Sequence, residues 1–428
     1  MSIKLRNEVC WHTQVPSEPE CQKDCQVEVA VIGGGMTGLS AAQAFAKRGK
    51  KVALFERHCT GSGATGKSGG FITPNAELSL SDFEKHTNKK SAKEIWNFIN
   101  RGLETIRETL VKNKFDCDYQ NNPGLFVANC SRTIKNLQQE YENVINLGYD
   151  STFYNQQDLQ NIIGTDTYVG GMTYENSFGI NPFKYCKALS QHLKDQGVEI
   201  FENTPVTNIT NHTITTPKAT ITADYIVICV DRFLPDLGIL QDYIYHVQNY
   251  VLASIPLTNE QIQKIFPQKQ YMVWDSQLIY NYYRIIENNR FIIGGGDIFS
   301  AYTQEKYNYT YGQKKLMSYI NNTFPDSNIT FEYQWPGLIG VSKDIGPIAA
   351  PDTKYPHIYY IAGVAGLPVG ATLGMYSAEH LLDKRTDMDQ YFNPYRKYFI
   401  GTTVQKIIGK RLAFAINNFM SQNTVGCF

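Results

Sequence analysis

The chain has no surplus of either charge: 40 lysines and arginines balance 40 aspartates and glutamates over 428 residues. A neutral balance creates no long-range field for a polyanion, so no nucleic-acid partner is expected. The first residues lack an apolar core of signal-peptide length and carry Lys4, Arg6 and Glu8 instead. Export by the usual route is therefore not expected, and a cytoplasmic location is. Closely spaced cysteines are scarce, since nine are scattered through the chain and only Cys21 and Cys25 lie near each other. That pattern suits reduced, structural thiols and predicts neither a disulfide framework nor a metal site. No internal repeat or low-complexity tract is present. The uncharged stretch 358–375 is about long enough to span a bilayer. Glycines and Pro368 interrupt it, and a strand, a glycine turn and a helix start account for it better.

What is present, 42% apolar and 19% charged residues, can bury a large core divided over two domains. Residues 27–32 form a short apolar run, 37–47 have helical patterning that ends at Gly49, and 52–55 form a second apolar run. This strand-helix-strand unit is of dinucleotide-binding size. The alternation returns with a helix over 182–196, a strand over 198–201 and an apolar run over 225–230. It returns again with a strand over 358–362, a glycine turn and a helix through Asp383. Between these lie a largely helical stretch, 91–147, and a stretch rich in tyrosine, isoleucine and valine at strand-like spacing, 243–299.

The expected architecture is α/β. A discontinuous nucleotide domain takes 27–90, 155–235 and 335–385, and a second α+β domain takes 91–154 and 236–334. An N-terminal extension, 1–26, and a helical tail, 386–428, complete the chain. The tail sets Arg396, Lys397, Lys406, Lys410 and Arg411 among Ile407, Ile408, Leu412 and Phe414. It reads either as a surface-seeking basic helix or as a terminal helix packed on the body, which is the commoner outcome and the favoured one.

The first turn reads Gly33-Gly34-Gly35-Met36-Thr37-Gly38. Gly33 allows a tight exit from the strand, Gly35 lets the backbone approach a pyrophosphate, and Gly38 lets helix and strand pack closely. The free amides of the helix start, with Met36 and Thr37 in its first turn, then meet the phosphates. Glu56 stands 18 residues after Gly38 at the end of the second strand, with Arg57 beside it. A carboxylate there suits the hydroxyls of an adenosine ribose. These features call for a dinucleotide without choosing between NAD and FAD. The loop from Gly61 to Gly70 follows at once, with Gly63, Ala64, Thr65, Lys67, Ser68, Gly69 and Gly70. It can wrap an extended ligand with backbone donors and one lysine charge, or it can be a flexible linker.

With these residues in place, the chain resembles, over most of its length, the FAD-dependent amine and amino-acid oxidases of the D-amino-acid oxidase and glycine oxidase superfamily. Further matches are Asn181-Pro182 before a helix, Thr204-Pro205-Val206, and Tyr283 and Arg290 leading into Gly294-Gly295-Gly296-Asp297. Later come Trp335 and Gly337, then Asp344 and Pro347, then Ile361-Ala362-Gly363 with Gly366 and Gly370. The resemblance implies a Rossmann-like FAD-binding domain with an inserted antiparallel-sheet substrate domain. It places the 63–70 loop at the pyrophosphate and flavin, Val206 at adenine, and Gly363, Gly366, Leu367, Val369 and Gly370 beside the flavin ring. A helix beginning near Ala371 would aim its positive end at reduced flavin. Trp11 and the Ser68-Gly69-Gly70 loop look most like the gamma-glutamylputrescine oxidase subgroup. No histidine or cysteine falls between Gly61 and Pro74, so noncovalent FAD is expected.

Departures from the family pattern set the expected substrate. Amino-acid-oxidising members commonly carry an arginine where this chain has Ile339, and loss of that fork removes a bidentate carboxylate contact. The familiar glycine-histidine-glycine is Gly366-Leu367-Pro368 here, and a glycine-glycine-arginine is Gly294-Gly295-Gly296. The reading is a small-molecule amine, primary or secondary, oxidised at its C–N bond to an imine, with oxygen or another acceptor taking the electrons. Arg284, after the paired Tyr282 and Tyr283, is the candidate for substrate positioning, and Tyr283 is a catalytic candidate with it. Lys343 or His246 would supply charge near the ring. Competing readings are a glycine-, sarcosine- or D-amino-acid-like oxidase, a quinone-linked dehydrogenase whose tail touches membrane, and a flavoprotein that only binds or senses.

Overall fold

Cys25–Ile32 and Val52–Phe55 are nearly continuous apolar runs, the pattern of parallel strands covered on both faces. In the computed structural model, which describes residues 5–12, 16–75, 78–277, 280–296 and 310–421, they pair in parallel, and Val31 stands between Leu54 and Val227. The sheet runs in the order Ile348–Pro351, Ile358–Ala362, Thr220–Ile228, Cys25–Ile32, Val52–Phe55, Glu199–Phe201. All these pairs are parallel except the first, which is antiparallel. A small antiparallel ribbon, Asn208–Thr210 with Thr213–Thr215, extends it.

The helix Met36–Ala46 is buried along nearly its whole length, so it must be covered on all sides. Leu367–Asp383 lies against it so closely that a Cβ on Gly374 would stand 2.3 Å from the Thr37 carbonyl oxygen. On its other side, Thr372 Oγ1 donates to the Ile99 carbonyl at 3.1 Å, within the long helix Lys89–Asn113. Small residues thus let three helices stack and fix where Leu367–Asp383 begins.

The second sheet has eight strands, in the order Phe331–Ser342, Ile244–Pro256, Arg290–Gly296, Tyr282–Ile286, Met272–Asp275, Gly124–Ala128, Gly170–Tyr174, Phe153–Asn155. It is antiparallel except where Met272–Asp275 pairs with Gly124–Ala128. Side chains alternate across a strand. Leu125, Val273 and Tyr283 therefore enter a core on one face, while Phe126, Trp274 and Tyr282 pack toward the first sheet and its helices on the other.

Several expectations are corrected. The late helix starts at Leu367, not near Ala371, because Pro368 sits in the first turn, where a missing N–H costs nothing. Gly170–Tyr174 and Phe331–Ser342 are strands of the second sheet, so that sheet draws on residues assigned from sequence to the nucleotide domain. Seven cysteines, Cys21 and Cys25 among them, are free, but Cys130 is disulfide-bonded, against the expectation of wholly reduced thiols. Among the described residues no helix is long and apolar enough to cross a membrane. Residues 297–299 of the tyrosine-rich stretch, Asp297 included, and 422–428 of the tail lie outside the described residues. The described part of the tail forms the short helix Asp389–Phe392, an irregular stretch over 393–401, and the helices Thr402–Ile408 and Lys410–Ser421.

Candidate active site

The first turn is shaped by close backbone contact. Gly33 has φ +103°, and a Cβ there would meet the Cys229 carbonyl oxygen at 2.4 Å; a Cβ on Gly38 would fall 1.8 Å from the Gly33 oxygen. Only glycine fits either position. The helix that follows has no N-cap side chain and no acidic residue in its first turn, so its positive end is left for an anion. Glu56 sits at the head of this turn and accepts from the Gly34 N–H at 2.7 Å and the His58 N–H at 2.9 Å. Met36 N–H donates to Thr65 Oγ1 at 3.1 Å, joining the turn to the small-residue loop.

That loop is held from outside by its carbonyls. Ala64–Lys67 makes one helical turn. Trp11 Nε1 donates to the Gly66 oxygen at 2.7 Å, and His12 Nε2 lies 3.2 Å from the same oxygen and donates to it. Trp335 Nε1 donates to the Lys67 oxygen at 2.9 Å, and Arg284 Nε to the Gly69 oxygen at 2.8 Å. The two indoles meet edge to face with centroids 5.9 Å apart. Burial lowers the His12 pKa to about 4, which keeps the imidazole neutral beside Lys67.

Loop and turn open onto a cavity of about 620 Å³. Met36, Thr37, Ala64, Thr65, Lys67, Ser68, Gly69 and Gly70 line it together with Gly366, Leu367 and Gly370. Leu367–Asp383, like the first helix, has no side-chain cap and no acidic first-turn residue. Its approach is fixed by Asp231, whose buried carboxylate accepts from the Gly340 N–H at 2.7 Å and the Gly363 N–H at 3.0 Å. Desolvation pushes this carboxyl up, and four backbone donors oppose the shift. Two uncapped helix starts facing one cavity suit a ligand with negative charge at two places.

Further along, Phe71, Phe126, Trp274, Tyr280 and Tyr282 line the cavity with Asn249, Gly337 and Ile339. Trp274 stacks on Phe126 with centroids 5.9 Å apart, and Phe71 meets Tyr282 edge to face at 5.4 Å. The basic lining residues among those described are Lys67, Lys85, Arg396 and Lys397. Arg396 is engaged by Asp344 through a fork, Nε to Oδ2 at 2.8 Å and Nη2 to Oδ1 at 2.5 Å. Asp275 also lines the cavity, but its carboxylate accepts from Gln277 N–H and from both nitrogens of Asn281, each at 3.1 Å. It organises the turn between two strands.

The expected site residues fall into distinct places. Gly33, Gly35, Gly38, Glu56 and Arg57 cluster at the first turn and strand end, and Arg57 lies over the Phe233 ring at 4.3 Å. Gly63 is the N-cap of the Ala64–Lys67 turn. Val206 is half-buried in the cluster that holds Phe55 and Phe201, Gly363 is pinned by Asp231, and Val369 is buried within the late helix.

The three catalytic candidates do not line the cavity. Arg284 is fully buried and spends its other nitrogens on Gln120 Oε1 at 2.8 Å and the Ile180 oxygen at 2.6 Å. Burial brings its pKa down to about 10. Tyr283 is in the opposite core, its hydroxyl 3.1 Å from that of Tyr168; strand alternation gives the cavity to Tyr282. Lys343 lies buried over the rings of Tyr243 and Tyr398 at 5.4 and 5.2 Å, and His246 is likewise absent from the cavity wall. The sequence reading missed Trp274, one strand from Tyr282, and Asp231, whose partners lie more than a hundred positions away.

Residues 28–383 match the family model described as FAD dependent oxidoreductase, or DAO. The chain belongs to this family. It is 27% identical over 403 residues to the probable oxidoreductase OrdL of Haemophilus influenzae, covering 90% of this chain and 88% of that one. It is 26% identical over 390 residues to the gamma-glutamylputrescine oxidoreductase of Escherichia coli, covering 88% and 89%. Its fold is similar to that of glycine oxidase from Geobacillus kaustophilus, with a TM-score of 0.74 at 18% identity over 88% of this chain and all of that one. The FAD-dependent oxidoreductase has a site that fits its cofactor: a turn too tight for any Cβ, a carboxylate at its head, two uncapped helix starts and a cavity between them.

Three outcomes are expected. Trp11→Phe removes one donor from Gly66 and raises the FAD dissociation constant about five- to tenfold, with the apoprotein melting temperature lowered by only a few degrees; a fluorescence titration giving the wild-type constant would remove this role. Arg284→Met leaves three buried acceptors without their donor and costs about 3–5 kcal/mol in thermal unfolding, whereas a changed KM at full stability would return Arg284 to substrate binding. His12 has a folded pKa of about 4 against 6.5 unfolded. The unfolded chain therefore takes up the proton first, and stability falls as pH drops from 6.5 to 4. His12→Gln, which keeps a donor, flattens the melting temperature in that window; an unaltered pH profile would contradict it.

Proposed function

We propose that this flavoenzyme oxidises the C–N bond of a primary or secondary amine to an imine, with noncovalently held FAD and with oxygen or another acceptor taking the electrons. The observation that carries this reading is the cavity wall of Phe71, Trp274, Tyr280 and Tyr282, with Ile339 beside it and no arginine from the neighbouring strands. Aromatic faces attract a cationic amine, and a carboxylate would find no fork there. Desolvation against these rings lowers the pKa of a bound ammonium, which favours the free base needed for oxidation. Asn249, also on the wall, offers a neutral polar group to orient the nitrogen.

FAD, when bound, accepts the hydride equivalent from the carbon that bears the nitrogen. The chain orients that C–H bond, excludes water with its aromatic wall, and aims the Leu367–Asp383 helix start at the cavity to stabilise the charge gained. The relative named for gamma-glutamylputrescine supports an amine, and the similarity to glycine oxidases makes amino acids the comparison to test.

An anaerobic screen of amines and amino acids, read as loss of oxidised flavin absorbance, decides the class. Amines are expected to bleach the flavin, and Ile339→Arg to lower kcat/KM for the best amine at least about tenfold by adding a buried cation. Bleaching by amino acids alone would overturn the proposal, and bleaching by neither would favour a binding role.

A further inference from the structure

Nine large apolar side chains are exposed among the described residues, and five of them, Tyr395, Phe399, Val404, Ile407 and Leu412, fall within residues 395–412. Ile407 is 81% exposed and Phe399 65%. This clustering is not the scatter of single apolar residues normal for a surface. The segment is nonetheless seated firmly. Gln405 accepts from the Tyr245 hydroxyl and donates to the Asp242 oxygen at 3.1 Å, and Phe414 packs on the Tyr245 ring with centroids 5.3 Å apart. Those contacts hold one side of the two tail helices on the body and leave Val404, Ile407 and Leu412 facing outward.

The charge is equally one-sided. All 40 acidic residues of the chain precede Gln390, and the five cations after it have no acidic neighbour in sequence. Before Gln390 the chain carries 35 lysines and arginines against those 40 acids. Arg411 and Lys397 are exposed, and Lys406, 69% exposed, has only a 3.9 Å approach to Asp242. Exposed apolar residues interleaved with cations, on a loop and two short helices that cannot span a bilayer, have the composition of an element lying in the headgroup region of an anionic membrane.

We infer that the surface formed by residues 395–412 docks this protein on an anionic phospholipid bilayer. Lys397, at the edge of this surface, also lines the cavity, so docking sets that part of the cavity wall beside the lipid interface. The inference rests on the surface alone and not on the amine reading.

The test is co-sedimentation of the full-length FAD-loaded protein with vesicles of phosphatidylcholine alone and of phosphatidylcholine mixed two to one with phosphatidylserine. Binding is expected only to the mixed vesicles and is expected to be released by high salt. Lys406→Gln with Arg411→Gln weakens it about twenty-fivefold, at about fivefold per cation, and Ile407→Glu abolishes it while flavin absorbance and melting temperature stay as in the parent. No sedimentation at low salt, or equal binding to both vesicle types, overturns the inference. So does a concentration-dependent dimer in vesicle-free buffer that Ile407→Glu dissolves, since a second copy would then cover the surface.

Discussion

The site depends on how the carbonyl oxygens of one glycine-rich loop are held. A run such as Gly63 to Gly70 has little side-chain reason to choose a shape, and its backbone loses much entropy when it is ordered. Here Trp11, His12, Trp335 and Arg284 each donate to a loop carbonyl at Gly66, Lys67 or Gly69. Carbonyls turned outward to these donors leave the opposite side of the loop to line the cavity. The two indoles add rigid apolar bulk behind the loop, so it cannot relax away from its ligand. Arg284 thus shapes the cavity wall through the backbone it holds.

A second constraint meets the first across the cavity. Asp231 ties Gly340 of the second sheet to Gly363, the residue after strand Ile358–Ala362 of the first, so the turn before Leu367 keeps one position relative to both bodies. A buried carboxylate is costly unless satisfied; four backbone donors offset that cost here. The late helix is further pressed between Met36–Ala46 and Lys89–Asn113. Its N-terminal field consequently points at the cavity without an acidic residue to quench it.

What the sequence made legible was local. Gly33, Gly38 and Glu56 are tied by short spacings whose geometry is set by a turn and two strand ends, and the parallel core around Cys25–Ile32 follows from continuous apolar runs. The paired Tyr282 and Tyr283 mark the limit. Strand period assigns them to opposite faces, but which face meets the cavity is decided by pairing with Val273, Trp274 and Gly294. Lys343 reads as a charge near the flavin ring, yet Tyr243 and Tyr398 enclose it from distant segments. Arg284 reads from sequence as a substrate-positioning residue, because nothing near it in the chain shows that Gly69, Gln120 and Ile180 take its nitrogens.

The loop's donors come from positions 11, 284 and 335, separated from their acceptors by as many as 268 residues. Contacts of such sequence separation form late, because chain closure must be met before they reward it. During synthesis the N-terminal turn and its strands emerge first, while the clamp on the neighbouring loop waits for Trp335. Ordering of the loop is thereby coupled to completion of most of the polypeptide, and a product truncated before Trp335 would keep the first glycine turn but lack the clamp on the loop beside it.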